Sequence, residues 1–124
     1  MKSYTDLKQS KKLAEFLPPE SADMHYIIMG DDEGPQSMVG LGEYIGMLPT
    51  IPCWSLAALL DIIPYAINIS DNKFYRLGID KGYNSYAIWY EDNGCTVNTL
   101  DVKANNFIDA CYEMIIRLRK LNLL

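Results

Sequence analysis

The stretch Tyr86-Ala87-Ile88-Trp89-Tyr90-Glu91-Asp92-Asn93-Gly94-Cys95-Thr96-Val97-Asn98-Thr99-Leu100 holds two runs rich in aromatic and β-branched residues on either side of Asn93-Gly94. Asn-Gly is the pair best suited to the two successive positive-φ positions of a type I′ turn, so the spacing predicts a tight antiparallel hairpin. In the simplest register Tyr90 pairs with Val97 and Ile88 with Thr99 on one face, and Trp89 shares the other face with Asn98. Residues 74–79 have the same strand-forming composition and are set off by turn chemistry at residues 80–84, and residues 66–69 supply a fourth strand at one edge. Residues 65–100 therefore predict an antiparallel meander.

Working outward, residues 105–122 form the clearest helix. Asn105 or Asn106 caps it, Asp109 and Glu113 lie in its early turns, and Arg117, Arg119 and Lys120 lie near its end, all with the sign that the helix dipole favours. Phe107, Ile108, Ala110, Cys111, Met114, Ile115, Leu118 and Leu121 make its apolar stripe, and Ile116 points away from the centre of that stripe with Tyr112 beside it. Before the meander, Thr50 as a cap and Pro52 in the first turn predict a helix from Cys53 to Ile63, ended by Pro64. Its only polar residues are Ser55 and Asp61, so it should be covered on nearly every side.

Residues 1–19 read as an N-terminal helix with a capping-box-like start at Ser3 and Asp6, an apolar side of Leu7, Leu13, Ala14 and Leu17, and a stop at Pro18-Pro19. Residues 24–29 are a short strand. Residues 30–52 hold five of the eight glycines and three of the six prolines, which is loop chemistry with room for a short element at residues 39–48. The expected architecture is a single α+β domain over residues 1–124: an antiparallel meander sheet packed by the central apolar helix and the C-terminal amphipathic helix, with the N-terminal helix peripheral.

With 49% apolar and 22% charged residues, the 124-residue chain can bury a core without a disulfide, metal or cofactor. The longest apolar run falls well short of the ~20 residues that a membrane helix needs, and no apolar signal core follows the Lys-rich start, so a cytoplasmic protein is expected. Cys53, Cys95 and Cys111 form no Cys-x-x-Cys pair and are read as reduced thiols.

The net charge of −5 is unevenly spread. Lys2, Lys8, Lys11 and Lys12 against Asp6 make the first twelve residues basic, whereas no Lys or Arg occurs from Leu13 to Asn72. An acidic molecule repels phosphate backbones, so no nucleic-acid partner is expected, and the Lys-rich start is read as pairing with acidic loops of its own chain.

Cys53 is the residue most suggestive of chemistry, because a thiol in the first turn of a helix is acidified by unpaired N–H groups. Cys53-Trp54 ahead of small and apolar residues is similar to the nucleophile segment of papain-like cysteine peptidases. Their order places a histidine downstream, however, and the only histidine here is His25, upstream. Thr50 stands three residues before Cys53 as in peroxiredoxins, but Gly46 occupies the position where that motif has proline. A zinc site would need His25, Cys53, Cys95 and Cys111 together without paired ligand spacing, so no metal is expected. Asp31-Asp32-Glu33 reads as a solvated turn, and Gly40-x-Gly42-x-x-x-Gly46 lacks the ending and setting of a phosphate loop. Tyr75, Tyr83, Tyr86 and Tyr90 fit a half-buried sheet face with hydroxyls reaching water.

The runs Leu48-Pro49-Thr50-Ile51-Pro52-Cys53-Trp54-Ser55-Leu56-Ala57-Ala58-Leu59-Leu60 and Asp109-Ala110-Cys111-Tyr112-Glu113-Met114-Ile115-Ile116 resemble short uncharacterised proteins of gut Bacteroides and their phage-like elements. The resemblance implies an accessory protein of a mobile element. The leading functional expectation is noncatalytic association with a protein partner or with itself, through outward residues such as Tyr112 and Ile116. The alternative is a thiol enzyme with Cys53 as nucleophile and His25 as base.

Overall fold

The computed structural model describes residues 2–27, 36–37, 50–70 and 73–124. The expected element at residues 39–48, the acidic triplet at residues 31–33 and the glycine series at residues 40–46 lie outside them. The chain is α+β and divides into two compact units, Ser3–Ala58 and Met1–Lys2 with Leu59–Leu124.

In the first unit, helix α1 (Leu7–Ala14) is followed by a 3-10 turn at Pro19–Ser21 and by strands β1 (Met24–Ile27), β2 (Gln36–Ser37) and β3 (Thr50–Cys53). The strands form an antiparallel sheet in the order β2-β1-β3. Helix α1 is shorter than residues 1–19, and its cap is Asp6, not Ser3. The Asp6 carboxylate accepts from Gln9 N–H at 2.8 Å, while the Gln9 amide oxygen accepts from Asp6 N–H at 3.1 Å. Ser3 is used otherwise: its carbonyl accepts from Leu56 N–H, and Tyr4 bridges to Ser55. Leu13 and Leu17 are buried while Leu7 and Ala14, at the other edge of the expected apolar side, face solvent.

The segment beginning at Thr50 is strand, which corrects the expected helix start. Ile51 precedes a proline and is thereby steered to extended backbone, and β-branched Thr50 and Ile51 suit a pleated surface. Pro52 is tolerated because β3 is an edge of its sheet. Helix α2 (Leu56–Ile62) begins only after Ser55, whose Oγ accepts from Ala58 N–H at 3.3 Å. Nor is α2 covered all round: Leu59 is its one buried residue, and Ala57 and Asp61 are exposed.

The second unit holds strands β4 (Ala66–Ser70), β5 (Lys73–Lys81), β6 (Tyr86–Asp92) and β7 (Cys95–Ala104), paired in chain order, and helix α3 (Phe107–Lys120) packed against the sheet. The meander and its edge strand stand as the sequence predicts. At the hairpin, Asn93 (φ 49°) and Gly94 (φ 82°) both take the left-handed conformation.

The hairpin register differs from the simplest one. Glu91 and Asp92 face Thr96 and Cys95, but farther along Trp89 faces Asp101 and Ile88 faces Val102, so β7 carries three extra residues across an irregularity. An odd offset turns β7 over, because side chains alternate with period two. Leu100 and Val102 thereby join Ile88 and Tyr90 in the core, where the regular register would have put Val97 and Thr99. The exchange sets a larger, wholly apolar pair on the core face in place of a valine and a hydroxyl-bearing threonine, which favours the irregular ladder over the regular one. Trp89 crosses to Gly78 on β5, where a Cβ would collide with the indole.

Asn106 is the cap of α3, accepting from Asp109 N–H at 2.9 Å, and Lys2 Nζ lies 2.8 Å from the same Asp109 carboxylate. The buried side of α3 is Ile108, Ala110, Cys111, Met114, Ile115 and Leu118. At its start Phe107 meets Tyr86, with ring centroids 4.4 Å apart. Tyr90 is wholly buried, so its hydroxyl does not reach water but donates to the Pro64 carbonyl.

Candidate functional site

Cys53 ends β3 opposite Met24, and the preceding Pro52 lies opposite His25. Since side chains alternate along a strand, Cys53 and His25 project from opposite faces of the three-stranded sheet. The two residues that the sequence singled out for nucleophile and base are thus neighbours in the ladder, but the sheet separates their side chains.

What does meet Cys53 is Thr5. The thiol donates to the Thr5 carbonyl at 3.4 Å and lies 3.6 Å from Thr5 Oγ1. Thr5 Oγ1 lies 2.7 Å from the Ser10 hydroxyl and accepts from Trp54 N–H at 3.1 Å, while Tyr26 Oη donates to the Thr5 carbonyl at 2.8 Å. Thr5, Ser10, Cys53 and Trp54 have no exposed surface. The hydrogen bonds satisfy a polar cluster that a core could not otherwise hold, and they fix the entry to α1 against β3. Sequence reasoning missed Thr5 and Ser10. The only signal for them is a pair of small hydroxyl residues in a Lys-rich segment.

Burial pushes the Cys53 thiol above its ordinary value of 9.0, and the hydrogen bonds from Thr5 and Ser10 only partly oppose it. The acidifying helix terminus expected at Cys53 is absent, because Cys53 lies in a strand. Burial also raises Tyr26, with Cys53 adding to the effect. His25 is 5% exposed, its Nδ1 meets no hydrogen-bond partner among the described residues, and burial lowers it below the ordinary 6.5. At neutral pH the pair is therefore thiol and imidazole, not thiolate and imidazolium.

Ser55 donates from its N–H to Asp23 at 2.9 Å and from its hydroxyl to the same carboxylate. That pairing holds the chain between β3 and α2. Of the other thiols, Cys95 is exposed beside the hairpin turn, and Cys111 is buried in α3 and pushed up to about 12 by loss of water.

Tyr112 and Ile116 are both half-buried on α3, away from the centre of its buried side. In the sheet region of this unit the large apolar groups left exposed include Tyr65, Ile69, Phe74, Ile79 and Tyr83. Near the hairpin a cleft of about 470 Å³ is lined by Lys73, Phe74, Arg76, Glu91, Asp92, Asn93 and Gly94. Its two cations stand beside two carboxylates, a poor setting for an anionic ligand. Among the described residues no three His, Cys, Asp or Glu side chains come together as a metal would require, and no helix is long and apolar enough to cross a membrane.

A comparison with protein families, curated proteins and solved structures finds nothing that matches this chain.

Proposed function

We propose that the chain is a noncatalytic protein-interaction or accessory protein, working in the cytoplasm and encoded on a mobile element, that acts by binding a protein partner or a second copy of itself. The observation that carries this reading is the contrast between its two kinds of side chain. The thiol with the strongest sequence case for chemistry is sealed and neutral, while Tyr65, Phe74 and Tyr83 stand 73%, 62% and 98% exposed in one unit. Large apolar groups left in water on a strand and the segments that flank the strands favour association, and Tyr112 and Ile116 add half-exposed apolar surface on the helix that packs against the sheet.

The rival use of the chain, thiol chemistry at Cys53 with His25, is discriminated by alkylation of the native protein at neutral pH, followed by mass spectrometry. Cys95 is expected to label first, with Cys53 and Cys111 labelling only on unfolding. A Cys53 that labels faster than Cys95 would defeat the noncatalytic reading. For association itself, light scattering at high concentration should show a mass above the monomer for the chain alone or with a captured partner. Loss of that mass in Ile116→Glu, with the fold intact, would assign it to the α3 surface.

A further inference from the structure

The two edges of the four-stranded sheet are built differently. At β7, Arg117 of α3 donates to the main-chain carbonyls of Thr99 and Asp101 at 3.3 and 3.2 Å, and Asp101 and Lys103 add exposed charge. Occupied carbonyls and charged side chains are standard means of keeping an edge from pairing with another chain. The β4 edge lacks both. Tyr65 and the strand Ala66-Ile67-Asn68-Ile69-Ser70 carry no charge, and among the described residues no strand pairs with the far side of β4.

This edge has a definite register. Leu77 N–H donates to the Tyr65 carbonyl at 2.9 Å, so Tyr65 and Ile67 are the residues that exchange bonds with β5. The alternate residues, Ala66 and Asn68, turn their N–H and C=O groups outward. Two such edges related by a twofold axis at Ile67 would pair Ala66 of each copy with Asn68 of the other. Tyr65 of each copy would then face Ile69 of the other, so the two exposed apolar groups, 73% and 42% exposed, would cover one another. Ile67, buried on the inner face, would meet its own counterpart and carry the core across the junction.

We propose that the β4 edge is a self-association site whose occupant is β4 of a second copy, joining two four-stranded sheets into one of eight strands. The proposal rests on the association reading above and names its surface and partner. Because the β7 edge is protected, pairing closes at two copies and does not propagate. The irregularity between Asn68 and Ser70 falls at Ile69 and makes it the last residue that can pair, so the contact is short. A contact of so few residues is small beside the ~1,200–2,000 Å² of a standard stable interface, and the dimer should form reversibly and at high concentration.

Sedimentation velocity of the full chain over a wide concentration range tests this, together with amide hydrogen exchange. The mass should rise toward a dimer while exchange at Ala66 and Asn68 slows. Ile69→Lys should restore the monomer with circular dichroism and thermal midpoint unchanged, and Ile116→Glu should leave the dimer in place. Asn68→Pro, which removes an outward donor and no bond to β5, should also give the monomer, and if that variant does not fold, Ile69→Lys decides alone. A dimer that survives Ile69→Lys, or one whose Ala66 and Asn68 amides stay unprotected, overturns the β4 assignment while the association reading stands. A chain monomeric at every concentration overturns self-pairing outright.

Discussion

His25 and Cys53 occupy neighbouring strands and are held neutral by one cause, the loss of water around them. For Cys53 the consequence is a thiol that packs and hydrogen-bonds as a small core residue. For His25 it is a dependence of stability on pH. Its folded-state pKa lies below 6.5, so as pH falls the unfolded chain binds the proton first. Stability is complete above the unfolded value and declines as pH drops through 6.5 toward the folded value. Urea denaturation of the wild type and of His25→Leu at a series of pH values isolates the effect, since the carboxylates titrate in both. The stability of the wild type relative to the variant should fall below pH 6.5 and stay constant above it. A constant difference throughout would mean that buried His25 finds a partner for its charged form. The buried hydroxyls of Thr5 and Ser10 mark what the sequence conceals at this scale. Nothing in a local pattern says that two polar side chains will be sealed together by a strand some forty residues away.

The elements divide by how local their causes are. The hairpin turn, the four meander strands and α3 are legible because Asn93-Gly94, the β-branched runs and the 3.6-residue stripe each act within a few residues. Gly94 shows how local: nothing lies within 4 Å of where its Cβ would be, and only its φ of 82° requires glycine. Gly94→Ala should therefore cost about 1–2 kcal/mol through backbone strain alone, whereas Asn93→Gly should be nearly neutral. Equilibrium denaturation checks both, and a Gly94→Ala variant as stable as the wild type would mean that the turn adopts another geometry. The hairpin register was not legible, because it is decided by which face of β7 the core accepts, and that depends on burying Leu100 and Val102 in a strand that packs against both α3 and β6. Residues 50–53 misled for the opposite reason. Proline suits both the first turn of a helix and an edge strand, and only pairing with β1 selects the strand.

At the scale of the whole molecule, charge and association pull in different directions. The chain carries a net charge of −5, so two copies repel, while the proposed contact between them uses a strand without charge. The Lys-rich start gives little to a partner here: Lys2 is bound to Asp109 and Lys12 to Glu15 at 3.0 Å. The sign of the salt dependence follows. Repulsion between net charges is screened over the Debye length, ~10 Å at 0.1 M and shorter at higher salt, whereas strand pairing and apolar contact are not weakened by it. Raising sodium chloride should therefore shift the monomer–dimer equilibrium toward the dimer, measured by sedimentation equilibrium at fixed protein concentration. An interface made by Lys8 or Lys11 of one copy against the acidic stretches of another would respond oppositely, weakening as its ion pairs are screened. A dimer that dissociates with added salt would thus locate the contact in the charged segments and remove it from β4.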